Sequence, residues 1–429
     1  MSLKIVKFES RIARVALIAA AVLCVSAAWM FIVWNAASVI SSRLDPAVPE
    51  SKLIAEWLEQ IAPSDPQTHY AVAFLLENTF DPDDQIRSLR EYEAATALSP
   101  HHFMMWLNLA QARDRSGDSA GAETAFAQAS TLAPNYAAVD WAYGNSLVRH
   151  AKFEDGFRLM AKAAASDPQY ANPAVFLAWQ LFEGDIGEIR RVLGDSTGTN
   201  AALTDVLASK KLYDGAFEAW SKLPAEDKRT KFKATGERLL VIANDAQKLQ
   251  IAALIYNDLI DKEAEKLVIG QLANGGFENG VKLRNAGIFE WQIGAGVEPK
   301  ISLNEIVKRS GRYSLLMAFD SFDPAAFRPV SQRVAVSPAT TYEFVSFYRA
   351  DLKTTAAFKW EILDALTGTR LAATEPLELA GDWTTLKVSF TVPMTSDGIV
   401  VRFIREGCGV AACPVQGKIS FDDLSIRKL

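Results

Sequence analysis

The sequence predicts a multidomain α + β chain: an N-terminal transmembrane helix, an α-helical repeat region and a C-terminal antiparallel β-sandwich. Three observations carry this prediction. Residues 15–34 contain no charge, and prolines recur every 34 residues at Pro66, Pro100, Pro134 and Pro168. Beyond about residue 271, helical periodicity gives way to short stretches of period-two alternation. The divisions that follow are a basic head at 1–14, a spanning segment at 15–40, a helical domain at 50–270 and a β-domain at 271–429.

Composition narrows the function classes. Of 429 residues, 45 are Lys or Arg and 51 are Asp or Glu, a net charge of −6 that argues against a general nucleic-acid binder. With 49% hydrophobic and 22% charged residues, the chain is globular rather than disordered. Four histidines and three cysteines exclude most His- or Cys-rich metal chemistry.

At about 1.5 Å per residue, twenty apolar residues cover the roughly 30 Å of a bilayer core. Lys4, Lys7, Arg11 and Arg14 face only Glu9 in the head, so the positive-inside rule keeps the N-terminus cytoplasmic and exports the rest. A cleaved signal peptide would need a shorter apolar region and a small-residue exit, whereas Trp29, Met30, Phe31 and Trp34 crowd this one. An uncleaved anchor in a bacterial inner membrane, with the bulk of the chain periplasmic, is the expectation. Leu23 occupies the place where lipidation of Cys24 would want a small residue. Cys408 and Cys413, on the exported side, are expected to form a disulfide that staples a short loop; a metal site is the alternative, without a histidine nearby.

Each periodic proline closes an apolar stretch, since it cannot continue a helix and can pre-set the next one. Between Pro100 and Pro134, Trp106, Leu109 and Ala110 share one helical face and Ala122, Phe126 and Ala129 another, either side of Gly117-Asp118. The small Ala110 and Ala122 permit close approach, with Phe126 and Trp106 filling the gap. These residues resemble the tetratricopeptide repeat, with Ala110 at the family's glycine and Arg113 at its tyrosine. Gly144, Gly156 and Ala163 continue the pattern, Leu75, Tyr92 and Ala95 precede it, and the stretch from Asp214 to Trp220 reads as one more second helix. The resemblance implies a scaffold whose groove binds a protein partner; a spacer between membrane and C-terminal domain is the plainer reading.

Beyond residue 271, seven or eight short alternating strands with Gly/Pro/Asp turns predict a sandwich, and the long connections favour a jelly roll. Asn274-Gly275-Gly276-Phe277-Glu278, Ser310-Gly311, Gln332, Trp383 and Phe421-Asp422-Asp423-Leu424 resemble, in order, the jelly-roll carbohydrate-binding modules of galactose-binding-like type. That resemblance implies a structural Ca²⁺ held by Glu278 with Asp422 or Asp423, the first and last strands lying side by side; solvated turn carboxylates are the alternative. It also implies polysaccharide binding by aromatic rings and planar polar groups. Trp360, Arg349, Tyr348 and Trp291 are the candidates, with Trp383, Glu361 and Arg402 behind them, although strands of a sandwich bury half their side chains.

Gly194-Asp195-Ser196-Thr197-Gly198 matches a nucleophile-elbow pattern but follows a helical stretch and has no histidine after it. No catalytic residue is assigned. The expected function is a non-catalytic membrane-anchored adaptor in exopolysaccharide or O-antigen assembly or export. An assembly protein whose sandwich binds protein is the second reading, and a glycan-modifying enzyme the third.

Overall fold

The computed structural model describes residues 10–77, 79, 81–321, 327–407 and 413–429. Among them the chain forms two compact units, 1–198 and 199–429. The change from helix to strand falls later, between Leu259 and Gln292.

The first unit opens with α1 (Arg11–Ser41), a helix long and apolar enough to cross a membrane. Helical hairpins follow: α2 (Ser51–Ile61) with α3 (Pro66–Leu76) and α4 (Pro82–Leu98), α5 (Phe103–Ser116) with α6 (Ser119–Leu132), α7 (Ala137–Arg149) with α8 (Phe153–Ser166), and α9 (Ala171–Leu181) with α10 (Ile186–Leu193). Local chemistry sets these ends. Asp65 accepts from the Thr68 N–H with Pro66 in the first turn, and Asp81, Asp118 and Asp185 cap α4, α6 and α10 in the same way. Gly117 turns left-handed at φ 88° to end α5, one residue before the Asp118 cap.

Close packing follows the small residues. Ala110, Ala122, Ala129 and Phe126 are fully buried, and Tyr143 of the next hairpin stacks on Phe126 at 5.2 Å. Trp106, expected as a gap filler, is only half-buried at the edge of this cluster, because its indole N–H reaches out 2.8 Å to the Pro100 carbonyl. Where the family tyrosine is Arg113, the guanidinium pairs with Glu93 instead. At α7–α8 a Cβ on Gly144 would meet the Gly156 carbonyl at 2.8 Å, so the two backbones approach as only glycines allow.

The second unit begins with α11 (Thr197–Ser209), α12 (Tyr213–Ser221), α13 (Ala225–Arg229), α14 (Lys233–Asp245) and α15 (Leu249–Leu259). Fully buried Trp220 packs over Gly236, and its indole shares the Asp258 carboxylate with Lys228. Among the described residues the sandwich comprises ten strands: β1 (Gln292–Ile293), β2 (Lys300–Asn304), β3 (Ser314–Ser321), β4 (Val330–Ala335), β5 (Thr341–Thr354), β6 (Ala357–Asp364), β7 (Arg370–Ala373), β8 (Ala380–Thr391), β9 (Gly398–Glu406) and β10 (Val415–Lys428). They make two antiparallel sheets, ordered β1-β4-β9-β6-β7 and β2-β3-β10-β5-β8. Seven of them are the alternating stretches read from sequence; β1 and β7 are too short to show alternation, and β2 alternates over Lys300-Ile301-Ser302-Leu303-Asn304 but is not among those seven. The expected pairing of first and last strands does not occur, since β1 pairs with β4 and β10 lies between β3 and β5. Instead the segment 274–278 is an irregular turn lying against β10. A Cβ on Gly275 would stand 1.9 Å from the Leu424 carbonyl, and the Leu424 N–H donates to the Gly275 carbonyl.

Within the second unit the last helix and the sandwich share hydrogen bonds. Helix α15 lacks a cap of its own. The Asp397 carboxylate, from the β8–β9 connection, accepts the Leu249 and Gln250 N–H groups at 2.9 and 3.4 Å. Gln250 donates to the Val336 carbonyl, and Arg333 reaches Asn244 and Gln247. A Cβ on Gly398 would come within 2.3 Å of the Leu249 side chain.

Replacing Asp397 by Ala should remove about 1–2 kcal/mol of local stability, read as faster amide exchange at Leu249 and Gln250. Unchanged protection there would show that the cap is idle.

Candidate functional site

Three of the four aromatic and planar candidates sit inside the sandwich. Trp360 is 0% exposed and contacts Trp291, Phe344, Phe403 and Phe421 at ring separations of 5.1–6.0 Å, while Tyr348 and Trp291 are 2% exposed. A ring closed on both faces offers no platform to a sugar, so these residues are core. Arg349 is exposed, on the outer face of β5 in the other sheet from Trp360, and the two are not brought together. Glu361 and Arg402 are cross-strand partners that neutralise each other at 2.6 Å.

The groups that do converge lie elsewhere. A cleft of about 550 Å³ opens between α15, the segment 264–268 and the turns 271–290. Its wall carries Tyr256, Lys266, Gln271, Asn279, Lys282 and Glu290. The turn is held from within: Asn274 donates to the Gly280 carbonyl and accepts the Asn279 N–H, the Trp291 indole donates to the Asn274 carbonyl, and the Gln332 amide pairs with both backbone groups of Ala273. On the opposite side the Asn257 amide does the same for Leu267. Burial raises the Tyr256 hydroxyl pKa, and Glu290 and Glu265 add to it. Burial also acts to raise Glu290, but the Lys282 ammonium at 2.8 Å and the Gly287 N–H outweigh it and hold this carboxyl below its usual range. The cleft therefore presents a neutral phenol, a fixed carboxylate and amide groups. Of the residues read from sequence, the turn around Asn274, the candidate Trp291 and the motif residue Gln332 border this cleft, the Trp291 ring being almost wholly buried there; Tyr256 belongs to a helical stretch with nothing to mark it.

The calcium expectation can be tested on donors. A Cβ on Gly276 would have Asp423 Oδ1, the Glu278 Cγ and Asp422 Oδ1 within 3.7–3.9 Å, so the three side chains border one turn, but their ligand oxygens do not all lie within 4.8 Å of one another. Their oxygens are already occupied. Glu278 accepts the Arg312 and Tyr313 N–H groups, and Asp422 those of Arg309, Ser310 and Asp423. Asp423 holds the Arg309 guanidinium and the Ser310 hydroxyl. With their oxygens engaged by N–H and O–H donors and not gathered within one ligand sphere, the residues as placed do not fit a calcium ion. Burial raises the Asp422 pKa against those N–H bonds.

Cys408 lies outside the described residues and Cys413 is buried. In the first unit, ligand atoms of Glu59, His69 and Glu91 lie within 4.8 Å of one another. His69 Nδ1 is 2.7 Å from Glu91 and Nε2 is 2.9 Å from the Pro63 carbonyl, so both ring nitrogens face acceptors. That arrangement suits an imidazolium, and Arg87 takes oxygens of Glu56 and Glu59. The Glu91 bond raises the His69 pKa above 6.5 while burial opposes it.

No family model matches this chain. No curated protein matches it either. Among solved structures, a CBM4 structure is similar at 18% identity over 37% of this chain and 99% of that one, with a TM-score of 0.28. TmCBM61 in complex with beta-1,4-galactotriose is 17% identical over 36% of this chain and 96% of that one, TM-score 0.27. MamA 41-end from Desulfovibrio magneticus RS-1 is 18% identical over 38% and 94%, TM-score 0.31. Scores this low carry no argument about what the chain does.

Two outcomes follow from these geometries. Melting of the second-unit transition should be the same in millimolar calcium and in chelator. Asp422→Ala should cost roughly 1–3 kcal/mol through the N–H groups it strands, and a calcium-dependent melt would restore the metal reading. The raised His69 pKa adds stability that is full below about pH 6.5 and is lost as pH rises through the folded-state value. His69→Gln should abolish that slope in first-unit unfolding; a variant with the wild-type profile would assign it to another group.

Proposed function

We propose that the chain is a non-catalytic, membrane-anchored adaptor whose second unit binds glycan in the cleft and whose helical hairpins hold a protein partner. The cleft carries the glycan reading. Sugars are recognised by dense directional hydrogen bonds combined with an aromatic surface, and Asn279, Gln271, Lys282 and Glu290 beside Tyr256 supply both. The depressed pKa of Glu290 suits an acceptor for hydroxyls and disfavours a general acid, which supports a binding role over hydrolysis.

The apolar helix α1 anchors the chain, and the basic head favours export of everything after it. In a bacterial inner membrane that arrangement leaves both units in the periplasm. An assembly or export pathway for exopolysaccharide or O-antigen then supplies the glycan, and the oxidising compartment joins Cys408 to Cys413.

The full chain in detergent should retain defined saccharides on a glycan array. Asn279→Ala and Lys282→Ala should each weaken binding about tenfold, near 1.4 kcal/mol, and Arg349→Ala should not. Retention unaffected by either cleft variant would place the site elsewhere. A reporter fused after Leu429 should be active only when exported, with Cys408 and Cys413 resisting alkylation until reduced. Cytoplasmic reporter activity would reject the topology and the bridge together.

A further inference from the structure

Helix α2 is turned inside out. Its charged residues face the protein: Lys52 pairs with Asp84 at 2.8 Å, and Glu56 and Glu59 pair with Arg87 of α4. Ala55 and Leu58 are buried. The opposite arc bears Leu53 (69% exposed), Ile54, Trp57 (59% exposed) and Ile61, with Gln60 as its one polar member. An amphipathic helix in water presents the reverse arrangement, with its apolar stripe inward.

The place of α2 in the chain says what covers that arc. It starts within ten residues of the end of α1, and its Leu58, with Ala62 just after it, packs against Ala37 in the last turns of α1. A helix held against the exit of a membrane-spanning segment lies at the level of the lipid headgroups. An uncharged apolar face with a tryptophan at its centre is suited to that boundary. We infer that α2 is an interfacial helix, lying on the bilayer with Leu53, Ile54, Trp57 and Ile61 inserted, so that the first unit is held at the membrane surface rather than swinging on the α1 end. This rests on the reading of α1 as a membrane anchor. Since the arc carries no charge, insertion is apolar and should not depend on anionic lipid.

The test uses the full chain in phosphatidylcholine vesicles, with and without phosphatidylglycerol. A nitroxide is placed at native Cys24, or at Trp57→Cys or Thr131→Cys in a Cys24→Ser background, with Cys24→Ser alone as the labelling blank. Its relative accessibility to oxygen and to a water-soluble nickel chelate reports depth. Position 131, exposed on α6, is the aqueous reference. The inference expects oxygen to dominate at Cys24, several-fold oxygen preference at 57 in both lipid mixtures, and nickel to dominate at 131. A lipid-facing Cys24 with position 57 as nickel-accessible as 131 would overturn the inference and leave the anchor standing. A nickel-accessible Cys24 would remove the anchor reading and this inference with it. Shielding of position 57 from both reagents would overturn the inference in favour of a protein cover. Leu53→Cys provides a second site on the same arc and should follow position 57.

Discussion

The second unit depends on a helix that is capped from outside itself. Asp397, in a connection between strands, satisfies the first amides of α15, which have no capping side chain nearer in sequence. Gly398 makes room for Leu249 beside that cap, and Gln250 and Arg333 add bonds on either side. The consequence reaches the cleft. Tyr256 lies two turns along α15, so the wall it provides stands where Asp397 and its neighbours hold the helix. A cut at residue 271 would separate Tyr256 and the segment 264–268 from the turns that face them.

The same economy of space governs the helical hairpins. Alanines and two facing glycines let backbones approach, and aromatic rings from one hairpin close over the next. Adding a methyl group at Gly144 would press first on the Gly156 carbonyl, and at Gly156 on the Val148 side chain and the Gly144 carbonyl together. The unusual member is α2, whose charges are spent on α4. Its polarity is explained by where α1 leaves it, not by the packing of the repeats.

Several carboxylates of the sandwich are held by backbone N–H groups. Glu278 and Asp422 tie the loop 309–313 to the start and end of the sandwich, and Glu290 is fixed by Lys282 and Gly287. Acidic clusters that look from sequence like cation sites are thus used to close turns. His69 is the converse case, an imidazole between two acceptors that can donate to both only when it carries a proton on each nitrogen.

The sequence by itself determined the classes of structure and their order. An uncharged run of sufficient length, a 34-residue proline period and period-two alternation each reflect a local geometry: helix rise, helix termination and strand pleat. The spanning helix, the repeat pattern with its small Ala110 and Ala122, and seven of the strands were readable for that reason. The tertiary structure alone decided which aromatics are platforms and which are core, because alternation says that half of a strand's side chains are buried without saying which sheet covers them. Trp360 and Arg349 looked alike in sequence and lie in different sheets, one sealed and one in solvent. The cleft was equally hidden. Its residues come from a helix, a connecting segment and a set of turns, and only the docking of α15 on Asp397 brings them to one place.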